Sequence, residues 1–152
     1  MDWTMADYAA AATLLAGLVF GAALALRMRA GPGYRAAAIV TLVSLVALIW
    51  VNGAVGFIGA SDDPANLMYG AVVLAALAGA GISRLRAAGM AVTLAAMAGL
   101  QLAIGVVAVT ARLGSDAPSW PQAIIGATVV FTGLFLVAAA LFRGASRAQP
   151  AP

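Results

Sequence analysis

The sequence predicts an all-α protein, a polytopic membrane bundle of five transmembrane helices, and three observations carry that expectation. Of its 152 residues 64% are hydrophobic and 9% charged, with a mean hydropathy of +1.06. Soluble domains run near roughly 45–50% apolar and 25% charged. The apolar residues gather into five runs, each close to the about 20 residues that a helix needs to cross a bilayer. The charged residues fall almost entirely between these runs.

The first run, Met5 to Leu26, stops at Arg27-Met28-Arg29 and the turn-forming Gly31-Pro32-Gly33. The second extends from Ala36 to Ala60 and closes at Ser61-Asp62-Asp63-Pro64. There Asp63 is placed to cap, and Pro64 to occupy the first turn of, a third helix over Ala65 to Ser83. Arg84 and Arg86 end that helix, and a fourth runs from 90 to Thr110. After the polar loop Arg112 to Trp120, Pro121 opens a fifth helix that reaches Phe142. Residues 143–152 are expected to form a short disordered cytoplasmic tail ending in Pro150-Ala151-Pro152.

Five spans segregate the charges. Arg27, Arg29, Arg35, Arg84, Arg86, Arg143 and Arg147 fall on one side, and Arg112 stands alone on the other with Asp2, Asp7, Asp62, Asp63 and Asp116. Arginine marks the cytoplasmic side of a membrane, so the N-terminus is expected outside and the C-terminus inside. Trp3, Tyr8, Tyr69 and Trp120 then lie toward the outer interface, and Tyr34 and Phe142 toward the inner one. Trp50 departs from this pattern, near the middle of the second run. The first residues lack a basic leader, so the first span is expected to stay in the mature protein.

The net charge of +3 comes from arginines beside membrane spans. These face anionic lipid and call for no nucleic-acid partner. Cysteine and histidine are absent from the sequence. That excludes disulfides, thiolate zinc sites, iron–sulfur clusters, His-ligated haem and the Cys- or His-dependent hydrolases. No Asp, Glu, Lys or Arg occupies the middle of a span. Proton-coupled pumps need such a group. The expectation is therefore a chain with no catalytic residues, no metal and no cofactor.

Spans two and three resemble spans four and five, suggesting two repeated hairpins plus one extra helix. Asn52-Gly53-Ala54-Val55-Gly56 parallels Gln101-Leu102-Ala103-Ile104-Gly105, and Asp62-Asp63-Pro64 parallels Asp116-Ala117-Pro118. Asn52 and Gln101 are amides deep in apolar runs, where each must find a hydrogen-bond partner. They serve either as a paired polar site or as interhelical glue. Asp62, Asp63, Asn66 and Tyr69 crowd the start of the third helix. Their oxygens could hold a cation, or could simply cap the helix. Small residues stripe three helices: Gly17 and Gly21; Ala71, Ala75 and Gly79; and Ala91, Ala95, Gly99 and Ala103. Such stripes let helices approach closely, inside one bundle or between copies.

The stretch Trp50-Val51-Asn52-Gly53-Ala54-Val55-Gly56-Phe57-Ile58-Gly59, continued by Asp62-Asp63-Pro64-Ala65-Asn66-Leu67-Met68-Tyr69, resembles the central motif of a family of small, uncharacterised bacterial inner-membrane proteins. Asp2 to Tyr8 and Leu141-Phe142-Arg143 extend the likeness to both ends. Ser61-Asp62 stands where a Glu-Asp pair is usual in that family. The resemblance implies a bacterial inner membrane and brings no activity with it. The leading expectation is a non-enzymatic protein that works by association, as an accessory subunit of a larger membrane complex or as a homo-oligomer. The alternative is a binding or permeation protein for a small solute or cation, with its polar site on the outer side.

Overall fold

The structure, a computed structural model, describes residues 4–27 and 31–148. Asp2, Trp3, Arg29 and residues 149–152 lie outside the described residues, and with them those parts of the expected topology and tail. Five helices follow one another: α1 (Met5–Arg27), α2 (Pro32–Ala54), α3 (Gly70–Ser83), α4 (Ala87–Thr110) and α5 (Gln122–Ala148). A 3-10 helix, Pro64–Tyr69, leads directly into α3. All five are long and apolar enough to cross a membrane when Pro64–Ser83 is taken as one span. Since successive spans alternate in direction, one end of the bundle collects Asp62, Asp63 and Asp116. The other collects Arg27, Arg35, Arg84, Arg86, Arg143 and Arg147. They are called below the acidic end and the arginine end.

Residues 65–69 of the expected third helix are 3-10 rather than α, α4 begins at Ala87 rather than 90, α5 begins at Gln122 rather than Pro121, and three further boundaries differ from expectation for local reasons. Helix α2 begins at Pro32 rather than Ala36. Proline suits the first helical position, where its missing N–H would have no partner anyway. The same helix stops at Ala54 rather than 60, because Gly56 turns the chain at φ +76°. Trp50 thereby sits one turn from a helix end, and its anomalous mid-span position disappears. At the other extreme α5 continues through Ala148, so residues 143–148 are helical rather than a disordered tail. Arg147 in the last turn complements the helix dipole. Tyr34 packs edge-on against Phe142 at 5.1 Å between ring centres, and Gly33 lies beside Ala145.

The helices stand in the spatial order α1, α2, α5, α4, α3. The tightest pairing joins α4 and α5, where Gly105 leaves no room for a side chain against Thr128. Gly79 does the same for α3 against Thr93 of α4. In both places a missing Cβ lets backbones approach, the usual device when lipid removes the hydrophobic drive between helices. Helix α1 is peripheral, packing mainly on α2, with Gly21 against Leu42.

The two hairpins suggested by the repeat are not equivalent. Helices α4 and α5 pack along their length, whereas α2 and α3 hardly touch. Gly105 is a mid-helix residue, while its counterpart Gly56 is a left-handed turn beyond a helix end. The chain between α2 and α3 instead folds inward at the acidic end. Phe57 and Ile58 are buried there, with the Phe57 ring 5.0 Å from Tyr69 and 5.7 Å from Phe131 of α5.

Candidate functional site: the polar cluster at the acidic end

The residues that the sequence marks as polar and span-embedded meet around one side chain, Asn66. It is 5% exposed and lies in the 3-10 helix. Its Oδ1 accepts from the backbone N–H groups of Phe57 and Ile58, both at 3.0 Å. Its Nδ2 donates to the carbonyls of Ile58 at 2.9 Å and Ala60 at 2.7 Å. A carboxamide has two acceptor positions and two donor hydrogens. All four are used, so Asn66 substitutes for the helical bonds that residues 57–60 lose when α2 ends. Its role is to satisfy the backbone of a loop folded into the bundle, which low dielectric makes costly to leave unpaired.

The neighbouring groups serve the same loop. Asp63 Oδ1 accepts from the Ala65 N–H at 2.9 Å, capping the 3-10 helix as the Asp63-Pro64 sequence predicts. Its Oδ2 crowds Gly59, which takes φ +67° where a side chain would collide. Asp62 is exposed and takes no part. Asn52 reaches from the end of α2 to donate from Nδ2 to the Asn66 carbonyl at 3.2 Å, joining α2 to the start of the third span. Its Oδ1 makes no hydrogen bond. Tyr69 is 2% exposed, with its ring against Phe57 and its hydroxyl unpartnered. Among the described residues no group of three or more His, Cys, Asp or Glu side chains gathers here or elsewhere.

Gln101 stands apart from this group. It is fully buried on α4, and neither Oε1 nor Nε2 bonds to another protein group. The pairing of Asn52 with Gln101, one of the two alternatives the sequence offers, is not formed: Asn52 uses its Nδ2 on the Asn66 carbonyl, and Asn52 Oδ1 does not meet Gln101. Nor does Gln101 act as interhelical glue.

The small-residue positions divide. Gly21 and Gly79 face neighbouring helices within the bundle, while Gly17 and Gly99 face open space. Along α4, Ala91 is buried, but Ala95, Gly99 and Ala103 form a stripe on the exposed face.

The parts that sequence reasoning missed are the inward fold of Phe57 and Ile58 and the bond from the Tyr34 hydroxyl to the Leu85 carbonyl at 2.7 Å. The first had a signal, since Gly56 and Gly59 bracket the pair at the spacing of a turn. The second had none. These features make the chain a multi-pass membrane protein with an all-α bundle, whose conspicuous polar cluster is engaged in holding its own loop. No family model, curated protein or solved structure matches it.

Proposed function

We propose that the protein works in a bacterial inner membrane by associating with a second copy of itself, without catalysing a reaction. The observation that carries this reading is the open stripe Ala95, Gly99 and Ala103, with nothing within 4 Å of a Cβ built at Gly99. A stripe of this kind lets a second helix approach at close range. The arginines at one end favour a cytoplasmic C-terminus and an outer N-terminus, and the family resemblance supports the inner membrane.

Gly99→Leu is the direct test. The new side chain enters open space within the protomer, so the fold stays intact while the close approach between copies is lost. Light scattering in mild detergent should show a dimer for the wild type and a monomer for the variant. A monomeric wild type, or a variant that keeps its dimer mass, counts against the reading.

A second reading, binding or passage of a small solute or cation, is favoured by Gln101 alone. Its unused amide has the capacity to hold a polar guest. Gln101→Leu discriminates between the two. With no guest, removal of a buried unpaired amide raises the melting temperature by the equivalent of about 1–3 kcal/mol. A fall in melting temperature, or loss of a cation-dependent rise, would favour the second reading.

A further inference from the structure

A crevice opens between the two groups of helices toward the arginine end. Its walls come from α1 and α2 on one side and from α3 and α4 on the other, and Phe142 of α5 closes its back. Its volume is about 250 Å³. That is too small for another helix, whose diameter with side chains is about 10–12 Å. Leu24 and Leu77 at its lips are 52% and 66% exposed, so the crevice opens sideways, where lipid would lie.

The walls are almost wholly apolar and offer an occupant no free side-chain donor. The two polar side chains among them are Tyr34, whose hydroxyl donates to the Leu85 carbonyl, and Thr41, whose hydroxyl donates to the Ala37 carbonyl at 2.8 Å. Such walls suit hydrocarbon. Its mouth has the opposite chemistry. Leu85 lines it, and the exposed Arg84 and Arg86 flank Leu85 in the chain. Arg27 follows Leu24 one turn further along the same face of α1. Among the described residues, the carboxylates Asp62, Asp63 and Asp116 belong to the other end of the bundle, away from these arginines.

We propose that the crevice is a binding site for one anionic glycerophospholipid, with an acyl chain between α2 and α3 and its phosphate against Arg27, Arg84 and Arg86. Basic mouths on apolar clefts between spans recognise lipid headgroups in this way. The lipid fills the gap that these two consecutive spans leave by not packing on each other. The site is independent of the α4 stripe and of self-association.

The test is thermal melting of the purified full chain in neutral detergent. The additives are phosphatidylglycerol, phosphatidylcholine with the same chains, or inorganic phosphate alone. Binding to the folded state raises Tm. The expected result is a larger rise with phosphatidylglycerol than with phosphatidylcholine, and none with phosphate. Arg84→Gln and Arg86→Gln should each weaken the apparent affinity for phosphatidylglycerol by about fivefold. Ala80→Phe, which fills the crevice from α3, should abolish the response to both lipids. Should that variant lose its cooperative transition, Ala38→Leu fills the same space from α2. Equal responses to the two lipids overturn the proposal. So does a response to phosphate alone, or an undiminished lipid response in the filled variant that folds.

Discussion

Asn66→Ala is expected to be among the most destabilising single substitutions in the chain, at about 4 kcal/mol. The side chain closes four hydrogen bonds to the backbone of residues 57, 58 and 60. Alanine leaves the buried N–H groups of Phe57 and Ile58 without acceptors, and each such orphan costs about 1–3 kcal/mol. The cost spreads through packing, since the Phe57 ring anchors both Tyr69 and Phe131. Asn66→Asp serves as the control. It keeps an acceptor for the two N–H groups but turns a second oxygen toward the carbonyls of Ile58 and Ala60, so it should also destabilise. Melting curves in detergent measure both. An Asn66→Ala protein that melts with the wild type would show that the loop holds its place by apolar packing alone.

Gly114→Ala should cost about 3 kcal/mol. Gly114 adopts φ +65°, and a Cβ there would strike the backbone of Gly59. Backbone cannot swing aside as a flexible side chain can. The loop between α4 and α5 must therefore lift away from the inward-folded loop on which it rests. Gly126→Ala, with nothing near its added methyl, provides the matched comparison and should leave stability unchanged or slightly raised. Equal melting of the two variants would sink the argument that the two loops are in backbone contact.

These residues also show where the sequence was legible. Spans were readable to within a few residues wherever hydropathy and a charge changed together, as at the start of α1 and the end of α4. The end of α2 was not, because Val55 to Ala60 remain apolar although they leave the helix. Hydropathy registers the burial of a residue and is blind to whether its backbone is helical. The cap at Asp63 is legible in the sequence, since capping depends on a neighbour two residues away. The role of Asn66 is not, and the sequence leaves it between cation ligand and helix cap, because its partners six to nine residues back are fixed only by the folded loop.

The order of helices in space was hidden for a different reason. In lipid, the faces turned inward and outward are both apolar, so no amphipathic stripe records which is which. Gly79 and Gly99 illustrate the loss. Both sit in small-residue stripes of the same spacing, yet one presses against Thr93 and the other meets nothing.

The spatial order α1, α2, α5, α4, α3 also has a bearing on how the protein is made. Spans leave the ribosome from first to last, and α1 can pair with α2, and α3 with α4, as soon as each is inserted. Among the described residues, α5 is the helix that packs broadly on both α2 and α4, and it is translated last. Until α5 is inserted, the two early pairs share the loop between α2 and α3 and the bonds from Asn52 to Asn66 and from Tyr34 to Leu85, and they lack the helix that packs on both. Completion of the bundle is therefore tied to the last span made, since a chain halted before Gln122 lacks the helix that packs on both pairs.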